Sequence, residues 1–292
     1  MNEIIHKFSR RYNLPLIDID SVFKAESPDG IVGYNLTVDH LHPNIAGYIM
    51  MGKAFLEEMK KYNLMPKGKR ISFSDAVVDS IARSEYPVTR FDSVIAEMRL
   101  IILTGEYPFV PKGTPNYRLL NFRPKNFIDS TAVDAMNKVI LWEEGHVNVA
   151  NWYFNKGDFN SFQKEMMAII FERPFNEQFY EYGIKKLIGV QQFTLVLPII
   201  LKYNSFRPSY FTYKWLGQIY LSVGNYKKAL FYLEPASKLP EADSKLFYNL
   251  GGAHYFNNSI DKAITALEKS LSLDPQNKLA LSFYSQLKTA RK

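Results

Sequence analysis

The sequence predicts a mainly α fold: an α-solenoid of stacked helical hairpins over 143–292, a helical connector over 64–142, and a small α/β segment over 1–63. Three observations carry this. Prolines at 174, 208, 240 and 275 are spaced by 34, 32 and 35 residues. Small and large apolar residues recur between them at matching offsets. Far upstream, Leu14-Pro15-Leu16-Ile17-Asp18-Ile19 reads as a short buried strand after a helical pattern.

The first helix is marked by Ile4, Ile5, Phe8 and Tyr12 at helical spacing. After the strand, Ser27-Pro28-Asp29-Gly30 signals a turn. A long helix is expected from Ile45 to Tyr62, with Asn44 as N-cap and Ile45, Ile49, Phe55 and Met59 on its apolar face. A Pro, Gly and Lys linker covers 63–72, and Ser74 is placed to cap a helix ending near Ser84. Thr89 and Asp92 form a capping box, which opens a helix running to Thr104. Pro108, Pro111, Pro115 and Pro124 make 105–126 an extended connector, and a further helix is expected from Asp129 to Ile140.

Composition narrows the functional classes. With 47% hydrophobic and 15% aromatic residues, the chain has the material for a packed core rather than disorder. Its net charge of +7 is scattered, apart from Lys60, Lys61, Lys67, Lys69 and Arg70. No dense basic face or aromatic-interleaved stripe marks a nucleic-acid footprint, so no nucleic-acid partner is expected. Cysteine is absent, which excludes disulfides and thiol chemistry. Histidines at 6, 40, 42, 146 and 254 show no metal spacing beyond His40-x-His42, and no phosphate-binding glycine loop is present; no metal or cofactor is expected. No apolar run reaches the roughly 18 residues of a membrane span, and no basic-then-apolar signal follows Met1, so a soluble chain without an anchor is expected.

The repeats are read in register. Tyr213, Leu216, Gly217 and Tyr220 are followed by Gly224, Ala229, Leu233, Ala236 and Pro240. A shift of 34 gives Phe247, Leu250, Gly251 and His254, then Asn258, Ala263, Leu267, Ser270 and Pro275. An earlier copy runs through His146, Val149, Ala150, Tyr153, Gly157, Met166, Ile169 and Pro174, and a worn one through Tyr180, Ile184, Leu187 and Pro208. Small residues let paired helices approach, and the prolines stop the second helix of each pair. One hairpin cannot bury its apolar face alone, so the units stack. Pro198 and Pro235 fall inside second helices, where kinks or shortened turns are expected.

This pattern resembles the tetratricopeptide repeat family over about 143–277, with 278–292 as a capping helix. The resemblance implies that first helices line a concave groove holding a protein or peptide ligand. The family's inward positions fall on Asn151, Asn155, Lys185, Lys214, Gln218, Ser222, Lys245 and Tyr248. Three lysines with amides suit an acidic or C-terminal carboxylate ligand. They suit an ordinary solvated surface as well. Phe211, Tyr255 and Phe256 read as packing residues.

A second resemblance lies in the first 63 residues. Val38-Asp39-His40-Leu41-His42-Pro43-Asn44, followed by Gly47 and a helix, resembles the last conserved block of the SGNH (GDSL-type) hydrolases, Asp-x-x-His-Pro before the C-terminal helix. It implies a remnant of a flavodoxin-like hydrolase domain in which Asp39 and His42 are catalytic. There the histidine takes a serine's proton and the aspartate fixes its tautomer. The alternative is that both residues cap the following helix. The nucleophile block, Gly-Asp-Ser, and the oxyanion block, Gly-x-Asn-Asp, are absent; the single Gly-Asp, at 157–158, precedes Phe159. The expected arrangement is therefore an interaction scaffold joined to an incomplete esterase domain, non-catalytic as this chain. The competing expectation is the C-terminal part of an active acyl-ester hydrolase whose other blocks precede residue 1.

Overall fold

The computed structural model describes residues 2–39, 42–66, 73–84 and 86–290. The chain divides into two compact units, Met1–Tyr86 and Pro87–Lys292.

The first unit holds α1 (Asn2–Tyr12), α2 (Ile19–Ala25), α3 (Ile45–Lys61) and α4 (Asp75–Ser84). Asn44 caps α3, its Oδ1 accepting from the Gly47 N–H at 3.0 Å. Lys53 of α3 pairs with Asp79 of α4 at 2.7 Å. The expected α/β character is not found: no strand occurs among the described residues. Residues 14–18 form irregular backbone, and Ile19 begins α2 behind the N-cap Asp18. An apolar hexapeptide becomes a strand only when a neighbouring strand takes its N–H and C=O groups. Among the described residues the only bridge is the isolated antiparallel pair Thr37 and Pro43. Two members of the basic cluster, Lys60 and Lys61, pair with Glu57 and Glu58 on their own helix. Lys67, Lys69 and Arg70 lie outside the described residues, as does His40 of the His40-x-His42 spacing.

The second unit is entirely helical among the described residues. It opens with α5 (Arg90–Thr104), α6 (Tyr117–Leu120) and α7 (Phe127–Met136). Four hairpins follow: α8 (Trp142–Asn155) with α9 (Phe159–Glu172), α10 (Glu177–Gly189) with α11 (Phe193–Phe206), α12 (Tyr210–Ser222) with α13 (Tyr226–Ala236), and α14 (Ser244–Phe256) with α15 (Ile260–Leu273). A single helix, α16 (Lys278–Ala290), packs on α15. The capping box expected at Thr89 is formed with Asp92. The helix expected over 129–140 is displaced to α7, capped by Asn126 and ended near Asn137.

Each hairpin turns through one residue in the left-handed region, at Gly157, Gln191, Gly224 and Asn258, with φ of 76°, 58°, 75° and 57°. Two of the four are glycine, which adopts this conformation without steric cost, and one is asparagine, which tolerates it. Gln191 shows why the second repeat reads as worn: the turn is kept while its usual residue is not. Helix contacts inside hairpins explain the small positions. A Cβ on Gly217 would stand 2.4 Å from Leu233 Cγ, and one on Gly251 would stand 2.9 Å from Leu267 Cγ. Pro235 sits at the end of α13, which is 11 residues long against 14 for α9, α11 and α15. At Pro198, by contrast, α11 runs on without interruption.

One apolar core runs through the hairpins from Ala150 to Ala266, with Phe162, Ile169, Tyr180, Ile199, Leu216 and Leu233 fully buried. A second core joins α5, α7 and α8 through Phe91, Val94, Met98, Ile128, Ala132 and Val149. The helices before the first hairpin are thus packed onto it.

Candidate functional site

Asp39 and His42 are brought together. The backbone between them folds back on itself: Val38 N–H donates to the His42 carbonyl at 2.9 Å, and Asn44 N–H donates to the Leu36 carbonyl at 2.9 Å. Within this loop, Asp39 Oδ1 accepts from the His42 backbone N–H at 2.6 Å. Its Oδ2 lies 2.8 Å from His42 Nδ1. The Asp39 side chain is 4% exposed and that of His42 is 61% exposed. An ionised carboxylate only accepts, so Nδ1 is the donor in this contact, and the neutral imidazole then has its lone pair on Nε2. This is the tautomer a general base requires. No serine or threonine hydroxyl among the described residues is hydrogen-bonded to His42. Ser21 donates to Asp18 at 2.7 Å, Thr37 donates to the Gly33 carbonyl at 2.9 Å, and the Ser27 hydroxyl accepts from Asn35 at 3.0 Å.

The residues expected to line a concave groove differ in exposure and pairing, and the lysines among them do not form an open row of cations. Lys185 is tied to Glu181 on its own helix at 2.6 Å. Lys214 is 16% exposed, paired with Asp243 and set against the Tyr210 ring. Burial works against the charged Lys214, but the Asp243 carboxylate outweighs it and holds the ammonium above its ordinary range. Asn151 accepts the Tyr182 hydroxyl at 2.5 Å, and the Ser222 hydroxyl donates to the Ile219 carbonyl at 2.8 Å. Asn155 and Lys245 are exposed. Gln218 has a buried Oε1 without a hydrogen-bond partner. Tyr248 stands edge-on to Phe283 with centroids 6.4 Å apart. Tyr248 also lines a groove of about 350 Å³ together with Leu221, Gly252, Phe256, Leu279 and Phe283. Phe256, read from sequence as packing, is 52% exposed there.

A third cluster has no local mark in the sequence. His146 is fully buried between two carboxylates: Nδ1 lies 2.6 Å from Glu165 Oε2, and Nε2 lies 3.1 Å from Asp92 Oδ1. Trp142 Nε1 donates to the same Asp92 oxygen at 3.0 Å. The rings of Phe91 and Trp142 stand edge-on to the imidazole at 4.7 and 4.2 Å. Burial disfavours the imidazolium, but Asp92 and Glu165 overcome it and keep His146 charged above its usual range. Burial likewise opposes ionisation of Asp92, while the His146, Thr89 and Trp142 donors hold its carboxyl below the ordinary value. The carboxylates occupy opposite ring nitrogens, so the ligand atoms diverge rather than converge on a cation. Among the described residues no His, Asp and Glu group is arranged to hold a metal.

Comparison with known proteins places the repeats. The family model described as tetratricopeptide repeat matches residues 212–243 and 244–277. Among solved structures, MamA residues 41 to the end from Desulfovibrio magneticus RS-1 is similar, with 18% identity, a TM-score of 0.45, and coverage of 51% of this chain and 85% of that one. A crystal structure of MamA protein gives 19% identity, a TM-score of 0.45, and coverage of 51% and 82%. No curated protein matches significantly. Residues 212–277, forming α12 to α15, are two tetratricopeptide repeats.

Proposed function

We propose that the second unit is a protein-interaction scaffold, and that the face built by the first helices of the hairpins holds the partner. The observation that carries this is the groove across α12, α14 and α16, where the exposed Phe256 and Leu279 stand with the half-buried Leu221, Tyr248 and Phe283 beside Ser282 and Gln286. Concave, mostly apolar clefts with a few polar groups are where ligands are held. The candidate residues Asn151, Asn155, Lys185, Lys214, Gln218, Lys245 and Tyr248 belong to this reading as groove positions. The pairing of Lys185 and Lys214 with acids of the same chain shifts the weight from charge toward shape and apolar contact. The test is photo-crosslinking in cells with benzoylphenylalanine placed at Lys245 of α14 or at Phe231 of α13. Protein adducts from position 245 and none from 231 support the scaffold. Adducts from 231 alone, or from neither, remove it.

A second reading concerns the first unit. There, Asp39 and His42 serve as the base half of a serine–histidine–aspartate relay for acyl-ester hydrolysis, resembling the SGNH type. The nucleophile and oxyanion donors would come from outside this sequence. What favours it is the 2.8 Å contact between Oδ2 and Nδ1, on a His42 side chain that is 61% exposed. Ester hydrolysis that appears when a Gly-Asp-Ser-bearing segment is supplied, and vanishes in His42→Ala, is the result that supports it.

A further inference from the structure

Ile4, Ile5, Phe8 and Tyr12 recur along one side of α1 and make it an amphipathic helix. Such a helix ordinarily turns its apolar stripe toward the protein, and α1 does the opposite. Polar contacts fasten it to the chain that follows. His6 Nε2 lies 3.3 Å from Asp18 Oδ2, and the Ser9 hydroxyl donates to the Leu14 carbonyl at 2.8 Å. His6 and Ser9 are half-buried, and every other residue of α1 is exposed. Ile4, Phe8 and Tyr12 are 59%, 50% and 55% exposed, and the rings of Phe8 and Tyr12 stack with centroids 5.7 Å apart.

The charges around the stripe give the chemistry of what covers it. Lys7 and Arg11, four residues apart, form a row along its edge beside Ile4 and Phe8, and Arg10 lies on the opposite side of the helix. All three are exposed, and no acid among the described residues pairs with them. Arg11 instead sits 5.5 Å from the centre of the Tyr12 ring. Glu3 is the one acid of α1. The neighbouring Asp18 is taken up by Ser21 and His6, and Asp20 by Lys24. We propose that α1 lies flat on an anionic lipid surface. Ile4, Phe8 and Tyr12 enter the acyl boundary, Lys7 and Arg11 reach the phosphates beside them, and Arg10 adds to the positive field. Eleven residues extend about 16 Å against a hydrocarbon core of about 30 Å, so the helix rests on the surface and does not span it. This assignment is independent of both readings above.

The test uses the full chain and vesicles of phosphatidylcholine, either alone or with about one third phosphatidylglycerol. The chain is expected to sediment with the anionic vesicles and little with the neutral ones, and to release between about 50 and 300 mM salt. Phe8→Ser removes the centre of the stripe, and Lys7→Ser with Arg11→Ser removes the charges at its edge. Each variant should weaken binding about tenfold or more. All three positions are exposed, so neither variant depends on core repacking. Because the chain has no cysteine, Phe8→Cys can carry an environment-sensitive dye at a single place, with Lys269→Cys on α15 as the control. Anionic vesicles should shift the dye's emission to the blue at position 8 and not at 269. Equal binding to neutral vesicles, binding indifferent to both variants, or no cosedimentation overturns the assignment. So does a blue shift at position 8 that needs no vesicles and grows with protein concentration, which would put a second copy of the chain on this face.

Discussion

Nε2 of His146 lies 3.1 Å from Oδ1 of Asp92, and this contact ties α8 to α5 across 54 positions of sequence. Asp92 is also the N3 residue of the α5 capping box, its Oδ2 accepting from the Thr89 N–H at 3.0 Å. One carboxylate therefore starts a helix and fastens it to the first hairpin.

The contact sets a pH dependence. His146 has a folded pKa above its unfolded one, so its contribution is complete below about 6.5 and is lost as pH rises through the folded value. Glu165 is raised by burial and acts in the same direction. Asp92 is lowered, so its contribution is present above about 3.9 and is lost as pH falls through its folded value. Urea unfolding of the chain should show stability falling as pH rises above about 6.5. His146→Gln should flatten that limb and cost about 3–5 kcal/mol at pH 6, since it strands buried carboxylates. An unchanged alkaline limb in the variant would show that the network carries no titration.

Adjacent glycines should behave oppositely. Gly217→Leu and Gly251→Leu force a side chain into Leu233 and Leu267, and each should cost about 1–3 kcal/mol. A Cβ on Gly252 would meet only Leu221 Cδ2, at 3.6 Å, and Gly252→Leu should be neutral or slightly stabilising by about 0.5 kcal/mol, given the better helix propensity of leucine. Thermal melts of the three variants decide this; equal losses at 251 and 252 would contradict the helix-approach role.

Asp243 joins two jobs: its Oδ1 caps α14 through the Leu246 N–H at 2.8 Å, and its Oδ2 pairs with Lys214. Asp243→Asn keeps the cap and loses the charge, whereas Asp243→Ala loses both. The alanine variant should be less stable than the asparagine variant by about 1 kcal/mol. Denaturant titration measures the difference.

The purified chain should not release p-nitrophenol from p-nitrophenyl acetate above background, and His42→Ala should not alter its rate. A base without a nucleophile or oxyanion donors performs no acyl transfer by this route. Turnover dependent on His42 and on one of the chain's own serines would overturn this expectation.

The repeats were legible because their causes are periodic. Small residues at 150, 217 and 251 and prolines at 174, 208, 240 and 275 each answer a local steric demand, and local demands leave local marks. The Thr89 and Asp92 box was legible for the same reason. The partners of His146 were not, because they arrive from α5 and α9, 54 and 19 residues away. The run Leu14–Ile19 failed as a strand because its apolar character says nothing about whether an edge exists to receive it. The lysine groove was read from position alone, while Asp243, which cancels Lys214, comes from the next hairpin along.

A hairpin with a neighbour on one side only keeps its other apolar face bare unless another helix packs on it. At the C-terminal end, Ala280 and Leu287 of α16 close over Ala263, Ile264 and Leu267. At the other end, α5 and α7 do this through Phe91, Val94, Ile128 and Ala132, and they bring the Asp92 that keeps His146 satisfied. A chain trimmed to begin at Trp142 would expose Val149 and leave the imidazole with Glu165 as its sole acid partner. Trimming to the four hairpins alone should therefore cost stability, and the helices packed against them are as much part of the architecture as those that repeat.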